Sequence, residues 1–61
     1  GKGVKKNIKT AYNYYIVSAR AGYLESQIKV AQMYKEGAGT EKNLEKSAYW
    51  LKKVEESKTR N

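Results

Sequence analysis

The chain has no cysteine, histidine, aspartate, proline or phenylalanine. Without cysteine there are no disulfides and no thiolate chemistry. With histidine and aspartate also missing, a metal cage would have to be built from glutamate alone, so no metal and no other cofactor is expected. The same absences remove the usual acid–base and nucleophilic constellations, and no catalytic residue is expected. Without proline, glycine has to punctuate the chain by itself. No apolar run approaches the ~20 residues of a membrane-spanning helix, and no signal-peptide pattern is visible. There is also little material for a core. The 61 residues fit one small domain, 1–61. Their burial yields on the order of 90 kcal/mol against a roughly equal ordering cost, so the isolated chain is expected to be marginal.

Charge is abundant but one-sided. Thirteen basic residues face six acidic ones, a net charge of +7. The first 24 residues carry Lys2, Lys5, Lys6, Lys9 and Arg20 and no acid. Such an excess suits nucleic acid, anionic lipid or an acidic protein partner. Eleven of the bases are lysine, whereas arginine is favoured for bidentate phosphate and base reading. The charge therefore reads first as a solvated surface.

The main signal is an internal repeat. At an offset of 36, Gly1 and Gly3 fall on Gly37 and Gly39, and Lys6-Asn7 falls on Lys42-Asn43. In the same register Ile8 meets Leu44, Tyr14 meets Trp50 and Tyr15 meets Leu51. A period of this size marks a stacked array of supersecondary units. Asn7 and Asn43 sit where helix N-caps sit. Gly22 and Gly37 suit the left-handed position that ends a helix. Three helices are predicted, over 8–20, 23–36 and 43–58. In the first, Ile8, Ala11, Tyr12, Tyr14, Tyr15, Ile16, Ser18 and Ala19 span an arc wide enough for neighbours on two sides. In the second, Tyr23, Ser26, Val30, Met33 and Tyr34 form the core arc, beside Gln27 and Ala31. In the third, Leu44, Ser47, Ala48, Trp50, Leu51 and Val54 share a face that turns polar at Glu55 and Lys58. Alanines and serines opposite large aromatics are how antiparallel helix pairs interlock.

The run Gly1-x-Gly3-Val4, Asn7, Ala11, Tyr14-Tyr15, Ala19 and Gly22 resembles the Sel-one-like repeat. So does the run Gln27, Ala31, Met33-Tyr34, Gly37-x-Gly39, Trp50 and Leu51. These repeats are a subclass of tetratricopeptide-type helical hairpins, and the resemblance covers residues 1–55. It implies an all-α fold of antiparallel helical-hairpin repeats, an α-α solenoid fragment of three helices. Asn7 and Asn43 stand where the family more often has aspartate, and Val17 where it has lysine. Ser18, Ser26 and Ser47 stand where it has alanine, and Thr40 where it has valine. The chain then carries the second helix of one repeat, both connecting glycine loops, one further helix and the start of the next. That reads as a piece of a longer solenoid.

Three functions compete for these residues. Catalysis has one local motif, Ser26-x-x-Lys29, the pattern of penicillin-recognising hydrolases, but Ser26 falls on the buried arc and the partner motifs are absent. Similar repeats act as scaffolds and adaptors, which implies a protein–protein interaction module. Its groove would be lined by the second helix, whose outward arc holds Ile28, Lys29, Gln32 and Lys35. The expected partner is a protein or an acidic or amphipathic peptide, with neighbouring repeats or self-association besides. The alternative is electrostatic binding of nucleic acid or another anionic surface through Lys2, Lys5, Lys6 and Lys9. Tyr14 and Tyr15 could stack on bases in that reading, though both match core aromatic positions of the repeat.

Overall fold

The computed structural model describes the backbone of residues 4–60 and the side chains of residues 7–58. Its regular structure is three helices, α1 (Val4–Arg20), α2 (Leu24–Glu36) and α3 (Leu44–Arg60). All three predicted helices are present, with shifted ends. Asn7 does not cap α1: it lies inside the helix, which runs back to Val4. Lys5 and Lys6 are good helix formers, and nothing between them and Val4 interrupts the first turn. Asn43 does cap α3, its Oδ1 accepting the Lys46 N–H at 3.0 Å. Tyr23 occupies the cap position of α2 without a side-chain hydrogen bond, so that helix starts one residue later than predicted.

Glycine ends the first two helices. Gly37 adopts the left-handed conformation (φ 71°, ψ 34°) and returns its N–H to the Met33 carbonyl. Ala38 also donates to Met33, at 2.9 Å, and the loop then folds back so that Asn43 donates to the Tyr34 carbonyl at 2.8 Å. Gly39 is more constrained. A Cβ there would lie 2.6 Å from the Ile8 carbonyl oxygen and 2.9 Å from Tyr12 Cβ. The loop between α2 and α3 thus presses against α1, two helices back.

The helices form an open layer. α2 packs on both neighbours, while no Cα of α1 lies within 8 Å of a Cα of α3 among the described residues. The molecule exposes 4837 Å², where a compact chain of this mass shows about 4,000 Å². Its core joins Ala19 of α1, Val30, Ala31 and Tyr34 of α2, and Trp50 of α3, with Tyr12, Tyr15 and Ile16 packed against it. Small residues set the close approaches: Ser47 Oγ donates to the Ala31 carbonyl at 2.8 Å. The Tyr12 and Tyr34 hydroxyls share a 2.6 Å hydrogen bond, and their rings meet edge to face at 5.8 Å.

Five residues assigned to core faces are exposed instead: Tyr14, Tyr23, Leu44, Ala48 and Leu51. The repeat register explains the four on α1 and α3. On α1, Ile8, Tyr12, Tyr15, Ile16 and Ala19 are half-buried or buried, yet their partners 36 residues later (Leu44, Ala48, Leu51, Lys52 and Glu55) are all exposed. On α3 the order reverses. Trp50 is 8% exposed, and its partner Tyr14 is 66% exposed. α2 covers one flank of α1 and the opposite flank of α3, so each copy exposes what the other covers.

Candidate protein-binding surface

The outward arc of α2 is created by its position. With α1 and α3 on its two flanks, a third face is left to solvent, and Lys29, Gln32 and Lys35 stand exposed on it with Ile28 half-buried. Lys29 and Gln32 also border a hollow of about 300 Å³ against α1, floored by Ile8, Ala11, Tyr15, Met33 and Ala38 and closed by Glu36. Lys29 leans over the Tyr15 ring, its Nζ 6.0 Å from the centroid. Ile28 and Lys35 lie outside that hollow, on the same helix face. The four predicted contact residues therefore form a continuous strip, half of it beside an apolar seat.

The remaining sequence candidates are scattered. Lys2 and Gly3 lie outside the described residues, and Lys5 and Lys6 fall in the first turn of α1 with their side chains outside them. Lys9 is exposed and borders a hollow of about 490 Å³ with Ile8 and residues 37–41, opposite Glu41. Tyr14 meets Tyr15 edge to face at 5.4 Å, but Tyr15 is turned toward α2. Of the Ser-x-x-Lys pair, Ser26 is buried and Lys29 is exposed beside Tyr15. Gln27 lies among the buried residues with its Nε2 on the Ala19 carbonyl at 3.1 Å. Its Oε1 has no partner among the described residues; it borders a polar hollow of about 310 Å³ with Gly22, Lys53, Glu56 and Ser57, which is roomy enough for water.

One feature on the opposite side has no counterpart in the sequence reading. Where α1 and α3 diverge above Tyr34, a cleft of about 450 Å³ opens, lined by Ile16, Arg20, Tyr34, Glu45, Lys46, Tyr49 and Trp50. Lys46 Nζ stands 5.7 Å from the Tyr34 ring centroid. Burial, and then the hydrogen bond with Tyr12, push the Tyr34 hydroxyl up to about 12, although the Arg20 charge acts in the opposite direction. The residues come from three helices with no shared spacing, which is why periodicity does not reveal them.

No described helix is long and apolar enough to cross a membrane. A family model described as the Sel1 repeat matches residues 1–23 and again residues 24–53. The break between the matches falls between α1 and α2, so the second match takes α2, the glycine loop and most of α3 as one unit. No curated protein and no solved structure gives a significant match to the chain. Repeats of this family are non-catalytic scaffolds that generally mediate protein–protein interaction. With two matches that together run from residue 1 to residue 53, the chain belongs to the Sel1 repeat family.

Proposed function

We propose that the chain is a single protein-interaction segment of a helical-repeat scaffold, without catalytic activity, that receives an acidic or amphipathic peptide along the outward arc of α2. The observation that carries this reading is the placement of α2. Held by both neighbours, it presents Ile28, Lys29, Gln32 and Lys35 as a fixed strip beside an apolar hollow. A rigid, preorganised strip loses little entropy on binding. The two lysines supply charge complementarity to an acidic segment, and Ile28 with the hollow supplies apolar area. The exposed flanks of α1 and α3 serve a separate purpose, as seats for neighbouring repeats.

The test is a pull-down with the chain as bait, comparing wild type with Ile28→Asp and Lys35→Glu. Both substitutions fall outside the core, so helicity by circular dichroism is expected to hold while recovery of the peptide partner falls roughly tenfold. Unchanged recovery of every partner would remove the arc from the binding surface.

A further inference from the structure

We propose that the cleft between α1 and α3 is a second binding site, which takes a single carboxylate beside an apolar side chain from a protein partner. The site lies on the face opposite the α2 arc and does not depend on it. Its floor is apolar and aromatic: Ile16, Tyr34 and Trp50, with Tyr49 forming an exposed wall. Its volume of about 450 Å³ falls within the ~300–1,000 Å³ of ordinary ligand pockets. Three charges stand around it, Arg20, Lys46 and Glu45. Together they leave one net positive charge, which is complementary to a carboxylate.

Arg20 is exposed where it borders the cleft, and its planar fork suits a bidentate carboxylate bond. Lys46 is held over the Tyr34 ring, which places its charge on the wall facing Arg20. The apolar floor takes the side chain next to the carboxylate. The repeat register adds an independent reason. The flanks that seat neighbouring repeats run along Ala11, Tyr14 and Ser18 on α1 and Leu44, Ala48 and Leu51 on α3, and none of these lines the cleft. Stacking therefore leaves the cleft open. The two copies also diverge here: Ile16, Arg20, Glu45, Lys46 and Tyr49 pair with Lys52, Glu56, Lys9, Thr10 and Asn13. The cleft is a property of this junction and not of the repeat.

Trp50 is the chain's single tryptophan and borders the cleft, so its emission reports occupancy directly. The probes are N-acetyl-leucyl-glutamyl-leucinamide and its glutaminyl and phosphoseryl counterparts, titrated at low salt so that the rim charges are little screened. The glutamyl peptide is expected to shift Trp50 emission saturably and to bind about tenfold tighter than the glutaminyl one, the size of a charge-assisted hydrogen bond. Arg20→Gln is expected to abolish that preference. Arg20→Lys keeps the charge at the end of α1 and retains part of it. Lys35→Glu, on the α2 arc, leaves the titration unchanged, which separates this site from the arc. Equal binding of glutamyl and glutaminyl peptides would overturn the proposal. So would tighter binding of the phosphoseryl peptide, an unaltered preference in Arg20→Gln, or no response of Trp50 at millimolar peptide.

Discussion

At the scale of single residues, the glycines carry more of the fold than their number suggests, and unequally. Gly22 and Gly39 both have positive φ, 105° and 76°. A Cβ at Gly22 would meet open space, while one at Gly39 would strike the Ile8 carbonyl. Alanine at position 22 then costs only the left-handed backbone penalty, about 1–2 kcal/mol. Alanine at position 39 adds a backbone clash that only displacement of the loop or of α1 relieves, and the expected cost is about 3 kcal/mol or more. In a chain this small each kcal/mol moves the thermal midpoint by about 4–8 °C. Thermal unfolding followed by circular dichroism is expected to show Gly39→Ala far below Gly22→Ala. Equal midpoints would mean that the loop does not press on α1. Gly39 was legible in the sequence as part of the repeated Gly-x-Gly spacing. Its reason was not, because the atom it must avoid belongs to a residue 31 positions earlier.

At the scale of the helices, the sequence carried the number, order and approximate extent of the elements, because periodicity and glycine are local signals. It misplaced the start of α1 because Asn7 looks like a cap from its neighbours alone, while a helix continues until something interrupts it. The tyrosine hydrogen bond between α1 and α2 could only be anticipated as a need. A buried tyrosine hydroxyl requires a partner, and Tyr12 and Tyr34 supply it for each other. That bond makes the hairpin sensitive to alkali. The Tyr34 hydroxyl is raised from 10.0 to about 12 by burial first and by the Tyr12 hydrogen bond second. The unfolded chain therefore gives up this proton before the folded one does. The stability contributed by neutral Tyr34 is complete below about pH 10 and is lost as the pH rises through about 12. Urea midpoints measured from about pH 9 to about pH 12 are expected to fall more steeply in wild type than in Tyr34→Phe. Parallel profiles would show that Tyr34 ionises as freely in the folded chain as in the unfolded one.

At the scale of the whole molecule, the exposed aromatics become intelligible only through the repeat. A helical wheel reports which faces are apolar but not which of them has a neighbour, so Tyr14 and Trp50 look alike in the sequence and differ entirely in burial. The α2 arc was legible because it lies on one helix. The cleft was not, since it needs α1 and α3 placed beside each other. The register nevertheless states what belongs on the bare flank of α1. Residues 24–36 precede Gly37 and cover Trp50; the same helix placed directly ahead of Gly1 would precede the equivalent glycine and cover Tyr14. A chain extended in this way is expected to unfold at a higher temperature and more cooperatively, as nearest-neighbour coupling in a repeat array requires. Tyr14→Ser is the decisive variant. In the original chain Tyr14 is mostly exposed and its loss should matter by about 0.5 kcal/mol or less. In the extended chain the same substitution removes a buried aromatic side chain, with an expected cost of about 3 kcal/mol. The difference between the two costs measures the new interface by itself, independent of any gain from added helix. If Tyr14→Ser costs the same in both chains, the added helix does not occupy the flank that the register assigns to it, and Tyr14 is a surface residue in its own right.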